Sequence, residues 1–325
     1  MPELRITEIL TPQWLKDTTL LGVDLTLDDG SPYPDAQYEQ AINHAIAHVQ
    51  SELGLVLDQF SVVEERHDIY SPDRTGWWPF RLDERPVRRV SGMRIRFGSF
   101  PAVEFPISWT QLVAPMYGQV HIIPSEEALG SYIIRAGIPL VAGDVLQTVD
   151  YIPGYFSFDY EAGFTCVTDT LTIPQGQTEA TYTFPTLTPM SDRYRTDLAL
   201  TVANGAVGLR LKSRSLNSFT VEVSTAPNVG DATVTFTADS IPDDIKHVIG
   251  IIAAMMPLAV AGDLIAGAGI ASISTSMDGL SQNINTTSSA TNSGYGARIL
   301  ELRKQADALL PALRARYRML NVAIL

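Results

Sequence analysis

Val248 to Gly262 (VIGIIAAMMPLAVAG) runs without a single charge, and a chain that carries such a run must either put it in a membrane or enclose it. Spanning a bilayer takes about 20 apolar residues. Here Lys246 and His247 precede the run, Asp263 follows it, and Pro257 is expected to interrupt it. The run therefore reads as a helix apolar on nearly every side, enclosed by its own domain and by neighbouring subunits. Its Ala and Gly residues allow close helix packing.

Elements that can enclose it are visible on both sides. Between Pro34 and Gly54, Tyr38, Ile42, Ala45, Ile46, Val49 and Leu53 recur at helical spacing among polar residues, which predicts an amphipathic helix. Pro34 suits its first turn and Gly54 a left-handed end. At the far end, Ile299, Leu302, Ala306, Leu309 and Leu313 repeat at three-four spacing and predict a last helix from about Tyr295, kinked at Pro311. Ser240, with Asp243 three residues on, is expected to cap the apolar helix. Ser272 to Gly294, rich in Ser, Thr, Asn and Gly, is expected to be a long loop, either mobile or ordered by a partner.

The middle of the chain changes period. From Val62 to Tyr160, short alternating runs such as Met93, Ile95 and Phe97 predict an antiparallel sheet packed on the first helix. Turns are expected at Gly98 to Pro101, Tyr117-Gly118, Gly137 to Pro139 and Pro153-Gly154. From about Thr165 to Asp239, threonine and valine dominate, and strands are expected at Thr181 to Phe184, Leu198 to Val202, Val207 to Leu211, Ser218 to Val223 and Ala232 to Thr237. Spacing of about ten residues suggests a separate β-sandwich, with Ala203 to Ala206 (ANGA) as a tight hairpin turn and another break at Pro227 to Gly230. The predicted class is α+β: a helical core with antiparallel β-hairpins, discontinuous over 1–164 and 240–325, plus an inserted all-β sandwich-like domain at 165–239.

Chemistry is sparse. The 36 acidic side chains against 23 basic ones give a net charge of −13, which argues against a protein that grips nucleic acid through its phosphates. Cys166 is the single cysteine, so no intrachain disulfide and no cysteine-built zinc site can form; burial suits it better than nucleophilic duty. The first residues lack the order of a secretion signal. His44 and His48 lie one turn apart with Glu52 a turn further on, but a zinc site needs three or four ligands, so they read as surface histidines. Asp28-Asp29-Gly30 and Tyr160 to Gly163 read as turns, and no nucleophile elbow, phosphate-binding glycine loop or metalloprotease motif is present. No catalytic residue, cofactor or metal is expected. The last helix carries Arg298, Arg303, Lys304, Arg314, Arg316 and Arg318 inside an acidic chain, which makes it either a docking element or a solvated polar face. Trp77-Trp78-Pro79-Phe80 either anchors a partner or lies under a folded loop.

Particular stretches give these elements a family likeness. Ala41 to Leu55 (AINHAIAHVQSELGL), Arg81 to Val90 (RLDERPVRRV) and Asp159 to Phe164 (DYEAGF) come in order. Ile241 to Ile245 (IPDDI), Gly269 to Gln282 (GIASISTSMDGLSQ) and Tyr295-Gly296 follow. In that order they resemble the head-to-tail connector, or adaptor, proteins of the neck of tailed bacteriophages, with 165–239 outside the resemblance. The resemblance implies a non-enzymatic structural virion protein, assembled in the host cytoplasm, that forms a ring of about twelve copies under the portal protein. Its partners would be the portal, neighbouring copies of itself, and the next neck or tail component. Double-stranded DNA would pass through its channel during genome packaging and ejection without specific binding.

By the same analogy, Arg314, Arg316, Arg318 and the tail Asn321, Val322, Ala323, Ile324 and Leu325 would dock on the portal. Ser272, Ser274, Ser276, Asp278, Asn283 and Asn285 would meet a neighbouring subunit or the next ring. Two rivals stand beside this reading. One is another virion part, such as a tail-tube terminator or baseplate wedge. The other is a polysaccharide hydrolase whose β-domain binds sugar, although Tyr182, Phe184, Tyr194, Phe219 and Phe236 are its only aromatics and it holds no tryptophan.

Overall fold

The computed structural model describes residues 5–23, 25–27, 30–70, 78–96, 102–123, 151–164, 166–183, 195–215, 218–266, 272–277, 280–285 and 295–318. Its helices and antiparallel sheets make an α+β protein. The chain divides into two compact units, one built from Arg5–Leu53 with the chain from Pro242 onward, the other from Gly54–Ile241.

The first unit is helical. Helices α1 (Ile6–Ile9) and α2 (Pro12–Asp17) lead into α3 (Asp35–Leu53). As the spacing predicts, α3 buries Tyr38, Ala41, Ile42, Ala45, Ile46, Val49 and Leu53 and is followed by Gly54 at a φ of 60°. The apolar run lies in α4 (Asp243–Ala266), and the last helix is α5 (Gly296–Tyr317). α4 packs between α3 and α5. It buries Ile245, Val248, Ile249, Ile251, Ala253, Ala254, Leu258 and Ala261. By length and composition Asp243–Gly262 is apolar enough to cross a membrane, yet 67% of it is buried in the fold. Gly250 marks the close approach of α2: a Cβ there would come within 2.7 Å of Thr19 Oγ1 and 3.0 Å of the Trp14 ring.

Two expectations about α4 need correction. Pro257 does not interrupt it; the helix continues to Ala266. A proline inside a helix costs about 3 kcal/mol, and the buried Leu258 and Ala261 beyond it offset that. Nor is Ser240 at the cap position. The Pro242 carbonyl accepts from Ile245 at 3.0 Å and Lys246 at 3.2 Å, so the helix starts two residues later than the serine suggests.

The second unit is built from sheets. β1 (Phe60–Tyr70), β3 (Val87–Ile95), β4 (Val103–Glu104) and β7 (Tyr151–Ala162) form one in the order β1-β7-β3-β4. β2 (Trp78–Arg81), β5 (Thr110–Ala114) and β6 (Gln119–Ile122) form a second, ordered β2-β6-β5. Phe156, Phe158 and Tyr160 of β7, all fully buried, share a core with Phe80, Val87, Met93, Val120 and Ile122. Gly118 makes the expected left-handed turn before β6. Pro153-Gly154 is not a turn but part of β7, inside a register shift opposite Asp68. The Asp68 carboxylate accepts from the Gly154 amide at 2.7 Å and the Tyr151 hydroxyl at 2.9 Å, which stabilises the bulge. Tyr160 to Ala162 likewise belong to β7, and only Gly163 turns. The expected turns at 98–101 and 137–139 lie outside the described residues.

The strands of 166–239 pair only with one another among the described residues. β8 (Cys166–Ile173), missed in the sequence, β10 (Arg195–Val202) and β13 (Ala232–Asp239) form the order β10-β13-β8. β9 (Glu179–Thr183), β11 (Arg210–Arg214) and β12 (Ser218–Glu222) form β11-β12-β9. Both sheets feed one core around Phe219, Val221, Val234 and Phe236, as a sandwich requires. The ANGA turn has both central residues at positive φ, Asn204 at 43° and Gly205 at 89°. It does not close a hairpin, however. It joins β10 to β11, which lie in different sheets. Where β11 was expected from Val207, Val207 instead makes an isolated bridge to Thr225.

Gly163, at a φ of 96°, donates its amide to the Pro86 carbonyl at 2.8 Å, and a Cβ there would lie 2.1 Å from the Asp58 carbonyl oxygen. Gly163→Ala should therefore lower stability by at least about 2 kcal/mol, read as a fall in the urea unfolding midpoint at unchanged slope.

Candidate assembly surfaces

α5 turns Leu302, Ala306, Leu310, Leu313 and Tyr317 inward and leaves its cations on the other faces. Three of them are matched inside the protein. Arg298 pairs with Glu301 at 3.1 Å, Arg314 with Glu52 of α3, and Arg316 with Asp244 of α4 at 2.8 Å. The Arg314 guanidinium holds the Glu52 carboxyl below the usual carboxylate range against a smaller opposing effect of burial, and Arg318 adds to the attraction. The Tyr317 hydroxyl donates to Asp244 at 3.0 Å. Arg303 and Lys304 are exposed and make no ion pair among the described residues. Arg318 is exposed just past the helix, and Asn321, Val322, Ala323, Ile324 and Leu325 lie outside the described residues. Two of the three arginines expected to dock on a partner thus also tie α5 to α3 and α4.

The expected loop 272–294 contains a β-hairpin, a correction to its reading as a loop without a strand. β14 (Ser272–Met277) pairs antiparallel with β15 (Leu280–Asn285). Polar composition concealed it, but the register is regular. Ser272, Ser274 and Ser276 oppose Asn285, Asn283 and Ser281, while Ile273 opposes Ile284 and Met277 opposes Leu280. Asp278 lies outside the described residues. No third strand joins this ribbon among the described residues, and a lone two-stranded ribbon is marginal in water.

Glu52, drawn to Arg314, is not poised as a third ligand beside His44 and His48, and among the described residues no group of three His, Cys, Asp or Glu side chains could hold a metal. Of the aromatic run, Trp77 lies outside the described residues and Phe80 is buried, its ring 4.8 Å from that of Phe156.

Titratable groups that sequence reasoning missed gather on the β1-β7-β3 sheet. Asp159 accepts from the Glu64 amide at 2.8 Å and from both Arg94 terminal nitrogens, one at 3.0 Å. Burial works to raise the Asp159 carboxyl, but the Arg94 and Glu64 bonds outweigh it and hold the group below its ordinary value. Glu64, at a φ of 61° where β1 shifts register, pairs with Arg66 and Arg96. A second cluster joins Glu65, His67 and Tyr160. Only the strand spacing could have hinted at these pairs, because register decides which charges meet.

No family model matches the chain, and no curated protein matches it. Among solved structures, it is similar to a chain described as the neck of an empty GTA particle computed with C6 symmetry. That chain is 13% identical over 99% of this one and 97% of its own length, with a TM-score of 0.27. A likeness at that level does not establish a shared fold.

The two ties from α5 to Asp244 should differ in weight. Tyr317→Phe removes a buried hydroxyl bonded to a carboxylate and should cost about 1.5–3 kcal/mol; Arg316→Ala, at a half-exposed pair, should cost under about 1 kcal/mol. Chemical denaturation of the two variants checks the ranking.

Proposed function

We propose that this chain is a structural subunit of the neck of a tailed virus or virus-like particle, a ring-forming adaptor that joins the DNA-filled capsid to the tail beneath the portal. The order of elements carries the reading. An amphipathic α3 precedes a sheet reached through Arg81 to Val90 and closed by Tyr160 to Gly163, and then come a proline-led helix, a Ser-rich hairpin and a last helix. Residues 165–239 are an insertion into that plan, and their own paired sheets fit such a role.

The proposal gives each surface a task. Copies meet head to tail, which needs two different faces per subunit and leaves no open end once the ring closes. The hairpin Ser272–Asn285, short of partners in its own sheet, contacts a neighbouring copy or the next ring. Arg318 and the tail Asn321 to Leu325 reach the portal. An acidic chain suits a channel through which DNA must slide, since few cations mean few phosphate contacts to break.

Antibodies raised against 165–239 should label the junction of head and tail on intact particles; label confined to the tail tip or the capsid faces would contradict the placement. Deleting Asn321 to Leu325 should abolish binding to portal rings without unfolding the protein. Protease cleavage within 272–293 should slow on assembly, and equal rates before and after would count against the hairpin contact.

A further inference from the structure

Glu65 lies where three separate stretches of chain meet. One carboxylate oxygen, Oε1, accepts from the Asp83 amide at 2.9 Å and lies 2.7 Å from His67 Nε2, and the other accepts from the Tyr160 hydroxyl. That hydroxyl in turn accepts from the Glu84 amide at 3.1 Å. The tip of the turn between β2 and β3 therefore hangs, by its two amides, on one carboxylate and on the phenol that the carboxylate orients. The flanks of the turn are held otherwise. Leu82 donates to the Gly118 carbonyl at 2.9 Å, and the Arg85 and Pro86 carbonyls accept from Val56 and Gly163 at 2.6 and 2.8 Å.

We propose that Glu65 is a proton-operated latch: ionised, it holds the Asp83-Glu84 tip closed, and protonated, it releases that tip while the sheet beneath stays paired. A carboxylate accepts on both oxygens, whereas a carboxylic acid must donate from one of them. Protonated on the oxygen that faces Tyr160, Glu65 loses the bond that orients the phenol; protonated on Oε1, it can no longer accept from both the Asp83 amide and a His67 N–H, so either way a bond that holds the tip is weakened. The titratable groups bonded to it are His67 from its own strand and Tyr160 from β7, while Asp83 and Glu84 of the turn are exposed. Among the described residues His67 is the one basic side chain paired with it. The rings of Phe80 and Phe158, with centroids 5.7 and 5.6 Å from that of His67, seal the other side.

Burial works to raise the Glu65 carboxyl, but the bonds from His67, Tyr160 and the Asp83 amide outweigh it and leave it below its ordinary value. Burial first, and then the carboxylate beside it, push the Tyr160 phenol up, so it remains a donor throughout. Because the folded value of Glu65 is depressed, the latch is fully made above the unfolded value of about 4.3 and is lost as pH falls through the folded value.

Amide hydrogen exchange on the full chain reads the latch directly. As pH falls from 7 to below about 4, protection of the Asp83 and Glu84 amides should drop at least about tenfold, while Phe156 and Phe158 in β7 keep theirs. In Glu65→Gln the tip should be poorly protected at every pH, whereas Asp83→Asn and Glu84→Gln should retain the drop. The Glu65 carboxyl carbon, followed by NMR in the unaltered protein, should titrate together with the loss of protection. Flat protection, loss in step with β7, a drop that survives Glu65→Gln, or a carboxyl that titrates apart from the exchange would each overturn the latch.

Discussion

A helix apolar on nearly every side has to be covered on nearly every side, and much of the helical unit follows from that demand on α4. No single neighbour can do it. α3 covers one flank, α5 another, and α2 comes close enough at Gly250 for the Trp14 ring to occupy the place of a missing side chain. α3 precedes all the long strands and α5 closes the described chain. The strands β1 to β13 all lie between α3 and α4 in the chain. The ion pairs of Arg314 with Glu52 and Arg316 with Asp244 lie on the rim of this packing, where exposed pairs add register more than stability.

The sheet unit is organised around β7. Its two sides pair with β1 and β3, and its fully buried aromatics fill the space toward β2 and β6. Acids of β1 and of β7 itself serve the backbone: Asp68 satisfies an amide in one bulge of the β1-β7 pair, and Asp159 satisfies the Glu64 amide in the other. Bulges and charges along β1 also blunt a long outer strand that would otherwise invite a foreign strand to pair. Glu65 belongs to the same pattern of carboxylates turned toward amides, with the difference that its amide partner lies on a turn rather than on the sheet.

The three long helices were legible in the sequence because their periodicity and their function in packing coincide, whereas the short α1 and α2 were not read. Tyr38, Ile42, Ala45, Ile46 and Val49 state the buried face of α3 directly. The sandwich strands with β-branched alternation were legible too. Misreadings came where a local signal and a long-range partner disagreed. Pro153-Gly154 has turn chemistry, but β1 and Asp68 keep it in a strand. Asn204-Gly205 adopts the backbone of a hairpin turn while β13 and β12 draw the flanking strands into separate sheets. β14 and β15 were hidden by serine and asparagine, which rank low on strand propensity although their pairing is regular. The carboxylate clusters were invisible for a simpler reason: Glu65 and Tyr160 stand 95 residues apart, and no spacing rule links them.

On the proposed function, this chain closes into a ring on a portal. The most direct measurement is the mass of the purified protein, alone and after mixing with portal rings, with electron microscopy of the same samples. A closed ring of about twelve copies, formed either alone or on the portal, is the expected result. A stable monomer that ignores the portal would contradict it.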